Sequence, residues 1–162
     1  MSVDLEKLKA AMLCIASHPS VSALGLTKLY KLVYFADARH LRETGVSITG
    51  SEFIKYQHGP VPSRGEKAVK QLRKDGAIDA DREDYAGYEM TAISVRGKPD
   101  LRALAPAEKA TLAAVCRELG AMTATQLSAL SHDEPAWISA PMRQKLAPDL
   151  IMYGAAEDPE GL

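Results

Sequence analysis

"LTKLYKLVYFADARHLRETG", residues 26–45, decides the reading of this chain. Its apolar residues recur at helical spacing, and Gly45 suits a C-terminal stop. Ser22 or Thr27 stands near the start. On a helical projection, Leu26, Tyr30, Val33 and Leu41 fall on one side, and Lys28, Lys31, Arg39 and Arg42 on the other. Asp37 breaks this division, because it lies in the middle of the apolar arc. A carboxylate there is costly unless it is hydrogen-bonded or paired.

The flanking segments read as further short elements. Leu5, Leu8, Met12 and Ile15 describe a first helix that stops near Ser17, since Pro19 restricts the residue before it. In "VSITGSEFIKYQHGPVP", residues 46–62, β-branched and aromatic residues predict one or two extended pieces around Gly50. The Gly59–Pro60 and Val61–Pro62 steps then force a corner. Ser63 and Glu66 have capping-box spacing for a third helix that runs to about Asp75 and stops at Gly76. Its inward residues are Val69 and Leu72, and its outward side is basic. Residues 77–94 predict two strands with a turn near Tyr85–Gly87. Pro106 suits the first position of a fourth helix, with Leu112, Val115, Cys116 and Leu119 inward and Gly120 at its end. Thr123–Gln126 and Ser131–Glu134 are two more capping-box pairs, the last opening a turn that presents Trp137. The expected fold is α+β: one mostly helical domain over residues 1–154 with a small antiparallel sheet, winged-helix-like in its middle order, and a flexible acidic tail at 155–162.

Composition narrows the function. The chain has 162 residues, 46% of them apolar, enough to bury a core. Its formal net charge is −1, without the basic excess of a protein that grips nucleic acid by charge alone. Cys14 and Cys116 sit on apolar helical patterns and read as reduced thiols. The N-terminus lacks the basic start and long apolar run of a secretion signal, and no window approaches the roughly 18 apolar residues of a membrane span. A cytoplasmic location is expected.

Catalytic patterns are weak. None of the common nucleophile, zinc-protease or phosphate-loop motifs occurs. Asp37 and His40, three apart on one helix, can interact. Cys14 and His18 have a spacing that can share a metal, but no second pair matches them. His58 beside Gly59–Pro60 admits a general base or a residue that bonds the corner's backbone, and the structural reading is favoured. The expectation is a protein without catalytic, cofactor or metal residues. Arg64, Lys67, Lys70, Arg73 and Lys74 form a basic helix face, opposed only by Glu66 before Asp75. That face suits phosphates or a protein partner, with Gln71 the lone candidate for base readout. Trp137 admits an interface anchor and a core residue equally.

"LYKLVYFADARHLRETGVSITGSEFIKYQHGPVP", residues 29–62, resembles the Panacea domain of the SocA-like antitoxins. The matching features are the "KLVYFAD" helix, the "TG…ITG" turn and "HGPVP" before a helix. Downstream, "LSHDEPAW", residues 130–137, is similar to that family's second signature. The resemblance covers roughly residues 25 to 140. It implies an antitoxin that binds and neutralises a toxin encoded beside it in a bacterial toxin–antitoxin pair. The founding type is also a proteolytic adaptor that delivers its toxin to the ClpXP protease, and other members are phage-associated proteins. The resemblance carries no catalytic residues and no toxin class.

On this reading Asp37, His58, Gly59, Pro60, His132 and Trp137 are structural signature residues. Asp37 is expected to accept hydrogen bonds from the 56–62 corner, with His58 and His132 as similar internal fasteners. The expected partner face is Arg64, Lys67, Lys70, Arg73 and Lys74, with Trp137 as anchor. The acidic Asp79, Asp81, Glu83 and Asp84 are an alternative contact. The rival reading is a DNA-binding, winged-helix-like regulator.

Overall fold

The computed structural model describes residues 4–85 and 88–153. The expected tail, 155–162, lies outside them. Helix α2, Leu26–Thr44, is the axis around which the rest is arranged. It packs against α1 (Leu5–Ser17), β2 (Gly59–Pro62), β4 (Tyr88–Val95), α4 (Pro106–Leu119), α5 (Ala124–His132) and α7 (Pro148–Tyr153). Strand β1 is Phe53–Tyr56, α3 is Gly65–Lys74, β3 is Ile78–Tyr85 and α6 is Pro135–Ser139. The result is a mostly helical α+β domain.

The division of α2 into an apolar and a basic side does not survive packing. Lys28 and Lys31 are 2% and 1% exposed. The run Leu29–Ala36 is apolar apart from Lys31, so protein must cover it on all sides. Neither Ser22 nor Thr27 caps the helix; Gly25 does, without a side-chain bond. Gly45 closes it in the left-handed region, at φ +86°, and its N–H donates to the Leu41 carbonyl.

Two separate antiparallel ribbons take the place of one small sheet. In the first, Phe53 pairs with Pro62 and Tyr56 with Gly59. In the second, Ile78 pairs with Val95 and Tyr85 with Tyr88. Gly50, at φ +69°, lies in the loop before β1 and not between two strands. The free edge of β1 is covered by residues 143–146: Lys55 N–H donates to Gln144, Arg143 N–H to Lys55 and Leu146 N–H to Phe53.

Two of the three expected capping boxes are absent. Helix α3 begins at Gly65 with Arg64 as its uncapped N-cap. A Cβ on Gly65 would lie 2.7 Å from Tyr30 Cε1 and 3.0 Å from Pro62 Cγ. Close approach to α2, and not a Ser63–Glu66 pair, places the start of this helix. Ser131 lies inside α5, and Glu134 is the uncapped N-cap of α6. The Thr123–Gln126 box forms as expected, with bonds of 3.1 and 2.9 Å. Pro106 opens α4, whose Glu108 carboxylate accepts from the Ala105 N–H at 2.7 Å.

Asp37 is tethered, but to a different loop. Its Oδ1 accepts from the N–H groups of Ile48 and Thr49, both at 2.9 Å, and its Oδ2 accepts from the Thr49 hydroxyl. The correction has a plain geometric cause. After Gly45 the chain folds straight back, so residues 47–51 reach Asp37 before the 56–62 corner can. The Asp4 N–H donates to the Thr49 carbonyl, so the same loop also holds the start of α1. Burial pushes the Asp37 carboxyl up to about 6, against the pull of the Thr49 and Ile48 bonds.

The other candidate pairs resolve similarly. His40 Nδ1 meets Thr111 Oγ1 at 2.9 Å and leaves Asp37 to its loop. His18 Nδ1 accepts from the Ser20 N–H at 3.1 Å. Among the described residues no cluster of three metal-ligating side chains forms, and both cysteines are free thiols. Among them, too, no helix is long and apolar enough to cross a membrane.

Asp37→Ala strands the Ile48 and Thr49 N–H groups in the interior. It should cost about 2–4 kcal/mol of stability in urea titrations. Asp37→Asn keeps an acceptor for both and should cost clearly less; equal losses would mean that the backbone bonds are not what matters.

Candidate functional site

The corner between β1 and β2 is built on glycine. Gly59 has φ +138°, and a Cβ there would lie 2.9 Å from Lys31 Cε and 3.1 Å from Ser131 Oγ. The chain therefore passes directly over the Lys31 side chain. Gly59 and Pro60 are buried. His58 departs from expectation: its ring is exposed, and its backbone carbonyl is the fastener, accepting from Ser128 Oγ at 2.7 Å. A two-residue turn at the tip of a ribbon points its side chains to solvent, so an inward ring is not available there.

His132 and Trp137 form a second unit. Their rings stack with centroids 3.9 Å apart and 20° between planes. Lys55 Nζ lies 3.9 Å from the Trp137 ring centroid and donates to the Ala140 carbonyl at 3.0 Å. Trp137 is half-buried against the core and is already engaged on its faces. His132 Nε2 and Trp137 Nε1 are buried without hydrogen-bond partners among the described residues. Burial pulls the His132 ring below its ordinary value, and the charges of Lys31, Lys55 and His58 act in the same direction, against a backbone bond at Gln57.

Sequence reasoning missed two polar units. Glu134, 5% exposed, accepts from the Tyr34 hydroxyl at 2.8 Å and from Arg42 Nη2, while Arg42 Nε donates to the Ile151 carbonyl at 2.8 Å. This ties α2, α6 and α7 together. The second unit is Lys31. Lys28 Nζ is met by the carbonyls of Ser22 and Gly120, but Lys31 Nζ is buried with no hydrogen-bond partner among the described residues. The available signal was the apolar run around Lys31, which leaves no solvent-facing side to the middle of α2.

The Lys31 stem lines a surface pocket of about 470 Å³, together with Tyr30, Tyr56, His58, Gly59, Met142 and Arg143. Its lining contains three basic or titratable nitrogen side chains and no Asp or Glu. Arg143 is a non-glycine residue at φ +67°. Chemically this is a concave, half-apolar site with positive potential and no nucleophile–base pair.

The other candidate residues lie elsewhere. Arg64, Lys67, Lys70, Arg73 and Lys74 are all exposed, and none of them lines this pocket. Gln71 accepts from Lys9 Nζ at 3.4 Å, which occupies the base-readout candidate. Asp81, Glu83 and Asp84 are exposed, and Asp79 lies 3.7 Å from Arg96.

Burial pulls the Lys31 ammonium down to about 8. Below that pH the folded chain carries an unpaired buried charge, and between about 8 and 10.5 the unfolded chain binds more protons. Stability should therefore rise with pH across that window, relative to Lys31→Met. Below pH 8 the Met variant should be the more stable by on the order of 1–3 kcal/mol. Parallel urea midpoints from pH 7 to 10 would show that Lys31 is not strained.

Comparison with the curated proteins and with the solved structures found no match. The family model described as antitoxin SocA-like, Panacea domain, matches residues 29–138. That span runs from the first buried turns of α2, through the Asp37 tether and the Gly59 corner, to the stacked His132–Trp137 pair, and the chain belongs to the SocA-like Panacea antitoxin family.

Proposed function

We propose that this chain is a cytoplasmic antitoxin that neutralises a cognate toxin protein by stoichiometric binding, not by catalysis. The family membership supports an antitoxin role in general. The observation that carries the binding reading is the pairing of exposed apolar side chains with a positive pocket. Tyr56 and Met142 are 45% and 51% exposed and stand on the lining of the Lys31 pocket. Exposed apolar groups with polar groups around them are how protein interfaces are commonly composed. In the fuller form of the proposal the captured toxin is delivered to ClpXP; the resemblance supports that form, and no motif in this chain does.

The test is co-expression. A toxin gene neighbouring that of this chain should arrest growth alone, and this chain should restore growth and co-purify with the toxin at one to one. Toxin levels in cells with and without ClpX then separate the two forms. Toxin lost only when the protease is present indicates delivery; unchanged levels with restored growth indicate occlusion. A chain that neither rescues growth nor binds the toxin removes the proposal.

The five exposed cations of α3 and its N-cap are the specific observation behind a second reading, a DNA-binding regulator. It requires salt-dependent DNA affinity that Lys67→Glu with Lys70→Glu abolishes while neutralisation persists. Neutralisation lost in that pair, with the fold intact, would move the toxin contact to α3. His58→Ala should leave the fold unaltered, because the ring is exposed and the backbone makes the bond.

A further inference from the structure

We infer that the pocket over Lys31 is the seat of an acidic side chain of the toxin, an Asp or Glu carried on an apolar segment. The inference rests on the antitoxin reading and names the chemistry of its contact. Four observations carry it. Lys31 is 1% exposed, and its Nζ has no hydrogen-bond partner among the described residues, whereas Lys28, one turn earlier on the same helix, has two carbonyls. The pocket that the Lys31 stem lines contains no carboxylate, so the charge is not met from that surface. Arg143 and His58 also line it, and Arg143 is held at positive φ while its N–H donates to the Lys55 carbonyl at 2.7 Å. Tyr56 and Met142 supply exposed apolar surface beside Arg143 and His58.

The physical argument is one of compensation. An ammonium withdrawn from water without an opposing charge is strongly unfavourable, and an incoming carboxylate removes that penalty. The head group is covered in the free chain. A lysine reaches a new partner by rotation about its flexible four-carbon stem, and the stem already forms the pocket wall. The apolar residues then exclude water from the pair, which strengthens it. A purely inorganic anion would make no use of Tyr56 and Met142, and this favours a protein carboxylate on an apolar segment.

The experiment measures toxin affinity by calorimetry and unfolding of the free chain by urea, for wild type, Lys31→Met and Met142→Glu. Lys31→Met should weaken toxin binding at least 30-fold without lowering the stability of the free chain. Met142→Glu, at an exposed position, should weaken binding at least tenfold by repelling the incoming acid. Lys31→Glu should regain affinity for a toxin whose contacting acid is replaced by lysine. If wild type binds and neutralises the toxin while both single variants bind as tightly, the pocket inference fails and the antitoxin reading stands. If wild type itself does not bind, the antitoxin reading fails. Two other occupants would overturn the inference. One is phosphate or a nucleotide, shown by micromolar binding to the free chain that Lys31→Met abolishes. The other is the acidic segment 154–162, shown if truncation after Tyr153 destabilises wild type but not Lys31→Met.

Discussion

Lys28, Lys31, Asp37 and His40 are polar side chains that α2 carries into the interior, and the neighbouring elements are arranged by the way each is met. Lys28 reaches the carbonyl at the end of α4, and Asp37 gathers the 47–51 loop. His40 meets Thr111 on α4, and Tyr34 shares Glu134 with Arg42. Each such bond lies where water cannot substitute for it, so each fixes one element in one place. Lys31 is the member of this set that the free chain leaves unmet.

The exception sits beside a surface pocket. The glycine corner covers Lys31, the β1 ribbon tip and the 140–144 segment surround it, and the strained Arg143 lies at its edge. Unfavourable burial and backbone strain persist in a folded protein when the surrounding structure over-determines them, and they concentrate at functional sites. The Asp37, Glu134 and His40 bonds supply that surrounding rigidity. The same helix thus holds both the Asp37 tether and the one buried ammonium without a hydrogen-bond partner among the described residues.

Much of the architecture was legible in local chemistry. The stops at Gly45 and Gly76, the proline start of α4, the Thr123–Gln126 cap and the 78–95 hairpin all follow from residue types a few positions apart. The Ser63 and Ser131 caps did not form, although their spacing was right. Spacing permits a cap, but close packing of Gly65 on Tyr30 and the demand of Tyr34 and Arg42 for Glu134 decided the outcome. The candidate site was legible in part. Gly59, Pro60, His132 and Trp137 were visible as a pattern, but the pattern did not say that His58 faces solvent or that Lys31 lies beneath the corner.

Residue order alone determined that an acid in an apolar helix needs hydrogen-bond donors, that a glycine–proline step makes a corner, and that the chain belongs with the antitoxins. The first two are consequences of short-range sterics and desolvation, which neighbours along the chain already express, and the third follows from the order and spacing of its motifs. Only the tertiary structure decided which loop supplies the donors, which lysine is satisfied and which is stranded. That choice depends on the distance between groups up to about a hundred positions apart, such as Lys28 and Gly120, and packing alone sets such distances.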